Sequence, residues 1–73
     1  MSLKHYSVTV DRHQTNQQAY GPESAVAAAM VHLNVQAARE IQVVASEDQP
    51  VTFFGVESLG AGWIRYVRKE GPA

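Results

Sequence analysis

Residues 20–34 read YGPESAVAAAMVHLN, and this stretch decides how the rest of the chain is arranged. Gly21 ends whatever precedes it. Pro22 takes the first helical position, where its missing N–H would have had no intrahelical partner in any case. Glu23 in the first turn complements the positive end of the helix dipole. Seven apolar residues follow, Ala25 to Val31, four of them alanine, the residue of highest helix propensity. Asn34 is a suitable terminator, so a helix is expected from Pro22 to about Asn34. At 100° per residue Val26, Ala29, Met30 and Leu33 form one stripe, the expected core face. Ser24, Ala27, Ala28 and Val31 lie opposite, and none is charged. Such a face is either plain alanine surface or a second contact surface centred on Ala28 and Val31.

The segments on either side read as strands. HYSVTVD, residues 5–11, alternates with Tyr6, Val8 and Val10 on one side. Arg12 to Gln18 is polar. It reads as a loop, or as a turn near Thr15 and Asn16 leading into a short strand that ends at Tyr20. After the helix, REIQVVA (39–45) puts Ile41, Val43 and Ala45 on one face. SEDQP has turn composition. VTFFGVE (51–57) is a strand with Val51 and Phe53 on one side and Thr52, Phe54 and Val56 on the other. SLGAG supplies a second reversal, WIRYVRK (63–69) a last strand, and EGPA a tail. The short connections make the last three strands antiparallel neighbours. The expected fold is α+β in two layers: an antiparallel sheet of four to five strands with one helix on one face, ordered β-(β)-α-β-β-β, in a single domain spanning 1–73.

The totals narrow the function classes. A chain of 73 residues has a thin core. With no cysteine, disulfides and thiolate metal sites are excluded, which fits a reducing cytoplasm, the expected location. A formal net charge of -1 argues against binding nucleic acid by bulk charge. The longest apolar run is far short of the roughly 20 residues that span a bilayer. Tyr6 to Val10 alternates and Asp11 follows, unlike a signal peptide. His5, His13 and His32 include no pair at local metal-ligand spacing, and neither a metal nor a cofactor is expected. There is no G-x-S-x-G, and Gly60-Ala61-Gly62 does not open a helix. A thin core also leaves little room for a pocket of ~300 Å³ or more, so no catalytic residue is assigned and enzymatic activity is not expected.

What remains is surface. VTFFGV and WIRYV carry large residues on both faces, and one short helix is expected to cover only one. Phe54, Val56, Trp63 and Tyr66 therefore point to a partner surface. Trp63, Arg65 and Tyr66, with Phe54, are the expected binding residues, since Trp, Tyr and Arg are enriched at hot spots. Ala28 and Val31 make a second patch suited to a homodimer. The expected function is a small, self-associating protein-binding module, an inhibitor or accessory protein of the kind carried by phages and mobile elements. One alternative is a nucleic-acid-binding module using Arg65, Arg68 and Lys69 of the last strand. Strand alternation counts against it, placing Arg65 with Trp63, Val67 and Lys69 but Arg68 with Ile64 and Tyr66. A second alternative is a small enzyme or ligand-binding subunit whose site forms between protomers.

Overall fold

The helix forms where the Gly-Pro-Glu start places it. In the computed structural model, which describes residues 2–46 and 48–71, α1 spans Pro22–Leu33. Gly21 is the N-cap, and the Ala25 N–H donates to the Gly21 carbonyl at 3.0 Å. At the other end Asn34 adopts the left-handed conformation, φ 56°. Its N–H donates to the Val31 carbonyl at 3.1 Å, and the Val35 N–H to the Met30 carbonyl at 2.8 Å. These two bonds close the helix in the manner of a Schellman cap.

Six strands make one antiparallel sheet: β1 (Lys4–Val10), β2 (His13–Ala19), β3 (Ala37–Ala45), β4 (Val51–Gly60), β5 (Trp63–Arg65) and β6 (Arg68–Glu70). The order is β2-β1-β3-β4-β5, with β6 also on β4. Because β4 is ten residues long, β5 pairs with its second half and β6 with its first. The fold is α+β, with one helix on an antiparallel sheet, as the sequence predicts.

The sheet curls around the helix, so that α1 touches β1 through β5, both flanking strands β2 and β5 included. This is why twelve helical residues suffice. Val26, Ala29 and Met30 are wholly buried on the expected stripe, and Leu33 packs at its end. Ala25 and Ala27 are buried too, so Ala27 does not face outward as the helical wheel implied. From the sheet, Tyr6, Val8, Val10, Ile41, Val43, Phe53 and Val56 complete the core.

Three local features depart from the simple alternation. Val10 pairs with His13 across a two-residue loop, so the first turn is at Asp11–Arg12, not near Thr15 and Asn16. β2 is consequently a full seven-residue strand in unbroken register with β1. Second, Ala38 and Ile41 both face the helix though three residues apart, and so do Phe53 and Val56 on the paired strand. Gly55, at φ 63°, takes up the irregularity in β4. In β3 it is held by Asp11, whose Oδ1 accepts from the N–H of Arg39 (3.2 Å) and of Glu40 (3.1 Å), while its own N–H donates to the Glu40 carbonyl at 2.9 Å. The shift moves Val56 to the core side, 0% exposed, whereas strict alternation had placed it with Phe54. Third, the last strand is broken at Tyr66–Val67 into β5 and β6.

Candidate partner-binding surface

The convex face of the sheet, away from the helix, has two unlike halves. Over β1, β2 and β3 it carries Ser7, Thr9, Gln14, Asn16, Gln18 and Gln42, with the Gln14 amide donating to the Ser7 hydroxyl. Val44 is the large apolar side chain exposed on these strands among the described residues, so β1 and β3 bury one face and leave the other largely polar, as their alternation predicts. Over β4, β5 and β6 the character changes. Among the described residues eight large hydrophobic side chains are exposed, and four of them, Leu59, Trp63, Tyr66 and Val67, fall within residues 59–67.

Register and burial settle how these side chains are aimed. Ile64 packs against the core, so its neighbours in β5, Trp63 and Arg65, face the convex side. Phe54, beside the buried Phe53, faces the same way and is half-buried. Trp63 is 70% exposed and Val67 86%. Val67 lies over Gly55, where a Cβ would come within 2.7 Å of its Cγ2, and its N–H donates to the Phe54 carbonyl at 2.9 Å. Tyr66 turns the other way: its ring meets Phe53 edge-on at 4.9 Å, leaving it 37% exposed.

The cations here are spoken for. Arg65 sits opposite Glu57, with its Nε donating to Oε2 at 2.8 Å and its Nη2 donating to the same oxygen. The Arg68 guanidinium stacks over the Phe54 ring at 4.3 Å and lies 3.4 Å from the Glu70 carboxylate. Lys69 reaches Glu23 on the helix at 3.5 Å. The break at Tyr66–Val67 reverses the parity expected of one continuous strand: Arg65 and Arg68 share the convex side, opposite Glu57 and Phe54, and Lys69 points to the helix layer.

The six expected partner residues thus divide. Phe54, Trp63 and Arg65 share the convex side; the exposed Leu59, at the register shift between Ser58 and Gly60, and the exposed Val67, over Gly55, are further apolar side chains at this end of the sheet. Tyr66 is at its rim. Ala28 and Val31 lie in the other layer, on the outer face of α1, with Val31 71% exposed beside a groove of about 530 Å³ that reaches from Gln17 to Gly62.

A third feature went unforeseen. An open cleft of about 660 Å³ lies at the start of α1, with Lys4, Tyr20, Glu23, Asp48 and Lys69 among its lining residues. It exceeds the ~300 Å³ for which so thin a core was expected to leave little room, because it opens at the surface between segments and not within the core. Both lysines are paired, Lys4 with Asp48 at 3.3 Å and Lys69 with Glu23. Its walls come from well-separated segments, so no local motif announces it. His5, His13 and His32 are all exposed, and no group of three potential metal ligands is brought together among the described residues. No helix there is long and apolar enough to cross a membrane. Comparison with known protein families, with curated proteins and with solved structures finds no match to this chain.

Proposed function

We propose that this chain is a protein-binding module, and that its binding surface is the convex corner formed by Phe54, Leu59, Trp63, Arg65 and Val67. The observation that carries this reading is that three of the eight large apolar side chains exposed among the described residues, Leu59, Trp63 and Val67, fall within nine residues at one end of the sheet, with the half-buried Phe54 near them. Exposed apolar side chains scattered singly need no explanation, but a cluster with a central Trp and flanking arginines has the composition of a binding hot spot. The pairing of each cation with a carboxylate leaves the corner near neutral, which favours an apolar protein surface over a phosphate backbone. An inhibitor or accessory role is the natural one for a chain that acts by covering part of another protein.

The test is Trp63→Ala in affinity capture from the native host, followed by titration against the captured partner. Trp63 is largely solvent-exposed, so the variant keeps its fold, checked by circular dichroism. Affinity is expected to fall by about 30-fold or more, the scale of a hot-spot truncation. A folded W63A chain that binds as tightly as the wild type refutes the assignment. Binding of single-stranded or duplex oligonucleotides at about 50 mM salt replaces it with the nucleic-acid alternative.

A further inference from the structure

The two edges of the sheet are built differently. One is made by β5 and β6, three residues each, interrupted at Tyr66–Val67 and carrying Arg65, Arg68, Lys69 and Glu70. Short, broken and charged edges resist the addition of another strand. The other edge is β2, which has none of these protections. It runs HQTNQQA, seven residues without Lys, Arg, Asp, Glu, Pro or Gly, in unbroken register. Among the described residues no strand other than β1 pairs with it.

The first hairpin fixes which backbone groups of β2 are free. A two-residue loop makes Val10 and His13 a hydrogen-bonded pair, and such pairs recur at every second residue. His13, Thr15, Gln17 and Ala19 therefore bond to β1. Gln14, Asn16 and Gln18 turn their N–H and C=O groups outward, an alternating row of donors and acceptors with no partner strand.

We propose that β2 is a self-association edge: the β2 strand of a second copy pairs with it antiparallel, about a dyad at Asn16, joining two sheets into one. The strand is self-complementary in that register. Asn16 faces Asn16 of the second copy, Gln14 faces Gln18, Thr15 faces Gln17 and His13 faces Ala19. No like charges meet, and the outward groups of the two strands make about six hydrogen bonds. On the convex side the amides of Gln14, Asn16 and Gln18 extend the ladder across the dyad. The dyad of an antiparallel pair is perpendicular to the sheet, so both helices lie on the same side. The groove along Ser24, Ala28 and Val31, which reaches Gln17, then opens beside the joint. A second copy fits better than a foreign strand. In the dyad register every outward N–H and C=O of one β2 meets its complement on the other with no charge buried, and a foreign strand has no such matched sequence. This inference is independent of the Trp63 surface, which belongs to the opposite edge.

Cross-linking provides the test, because the native chain has no cysteine. In the proposed register the Cα atoms of the two Asn16 residues stand about 5.5 Å apart, within disulfide reach. The two Gln18 residues are offset by about 14 Å at ~3.4 Å per residue. Under mild oxidation N16C is expected to form a covalent dimer at least about tenfold faster than Q18C, the Q18C rate measuring chance collision. Wild-type chain at about 100 μM is expected to sediment at twice 8.0 kDa. N16K, which sets two ammonium groups face to face on the dyad, is expected to weaken the dimer about tenfold with unchanged circular dichroism. W63A is expected to leave the mass unchanged. A wild-type mass of 8.0 kDa at that concentration, equal cross-linking of N16C and Q18C, undiminished association of folded N16K, or loss of the dimer in W63A each overturns the proposal.

Discussion

Replacing Gly55 with alanine probes the irregularity on which the core registration depends. Gly55 sits at φ 63°, a conformation that costs a residue with a Cβ about 1–2 kcal/mol. Part of this is offset, by about 0.4–1 kcal/mol, because alanine restricts the unfolded chain. The new methyl group would lie 2.7 Å from Val67 Cγ2 and 3.2 Å from its Cβ. Val67 is almost wholly exposed and free to rotate, so relieving that contact adds about 0.5–1.5 kcal/mol. The net loss is about 0.5–3 kcal/mol, centred near 2, and about 2 kcal/mol lowers the Tm of a domain of this size by roughly 8–16 °C. The assay is thermal and urea unfolding followed by circular dichroism. Gly62→Ala is the control, since it shares a positive φ of 81° but its Cβ would meet nothing within 4 Å. G55A should cost more than G62A, and the excess should shrink when both are made in a V67A background, which removes the 2.7 Å contact to Cγ2 and keeps the 3.2 Å contact to Cβ. A G55A chain that melts with the wild type refutes the backbone argument; an excess undiminished by V67A refutes the contact with Cγ2.

Two other substitutions test the frame. Asp11→Ala removes the acceptor of two backbone bonds at the β3 irregularity, and because the site is exposed the loss is expected to be about 1–2 kcal/mol in urea unfolding. Asp11→Asn keeps an oxygen acceptor and tolerates the φ of 53°, so it should lose less; equal losses would show that the bonds contribute nothing. Phe53 is the largest wholly buried side chain, and Phe53→Ala is expected to cost about 3–5 kcal/mol. Since a chain this short has only about 4–10 kcal/mol in total, F53A should sit at the margin of folding, which its urea midpoint measures directly.

Much of the architecture is legible in the sequence because local chemistry and tertiary packing agree. Gly21-Pro22-Glu23 and Asn34 bracket the helix, and the stripe Val26, Ala29, Met30 is buried as the wheel requires. β2 is hard to read because HQTNQQA is polar on both faces, leaving no period to detect; its length follows from the β1 register, which no propensity encodes. The misplacement of Val56 had a visible warning, a glycine inside a strand, but its partner irregularity at Arg39–Glu40 is imposed by Asp11 from 28 residues away. The break at Tyr66–Val67 has no Gly or Pro to mark it. At the candidate site, the exposure of Trp63 and Arg65 was readable. The pairing of every nearby cation was not, because Glu23 and Glu57 reach Lys69 and Arg65 only through the fold.

The wrapping of the sheet around a single helix also constrains how the chain reaches its native state. The β1–β2 and β4–β5 hairpins need only local closure, yet each buries its apolar side largely against α1. The central pairing joins residues 6–10 to 41–45, across the whole helix, so its loop must be closed before the core gains anything. Docking of the helix against both hairpins is therefore expected to limit folding, and unfolding is expected to be a single cooperative transition.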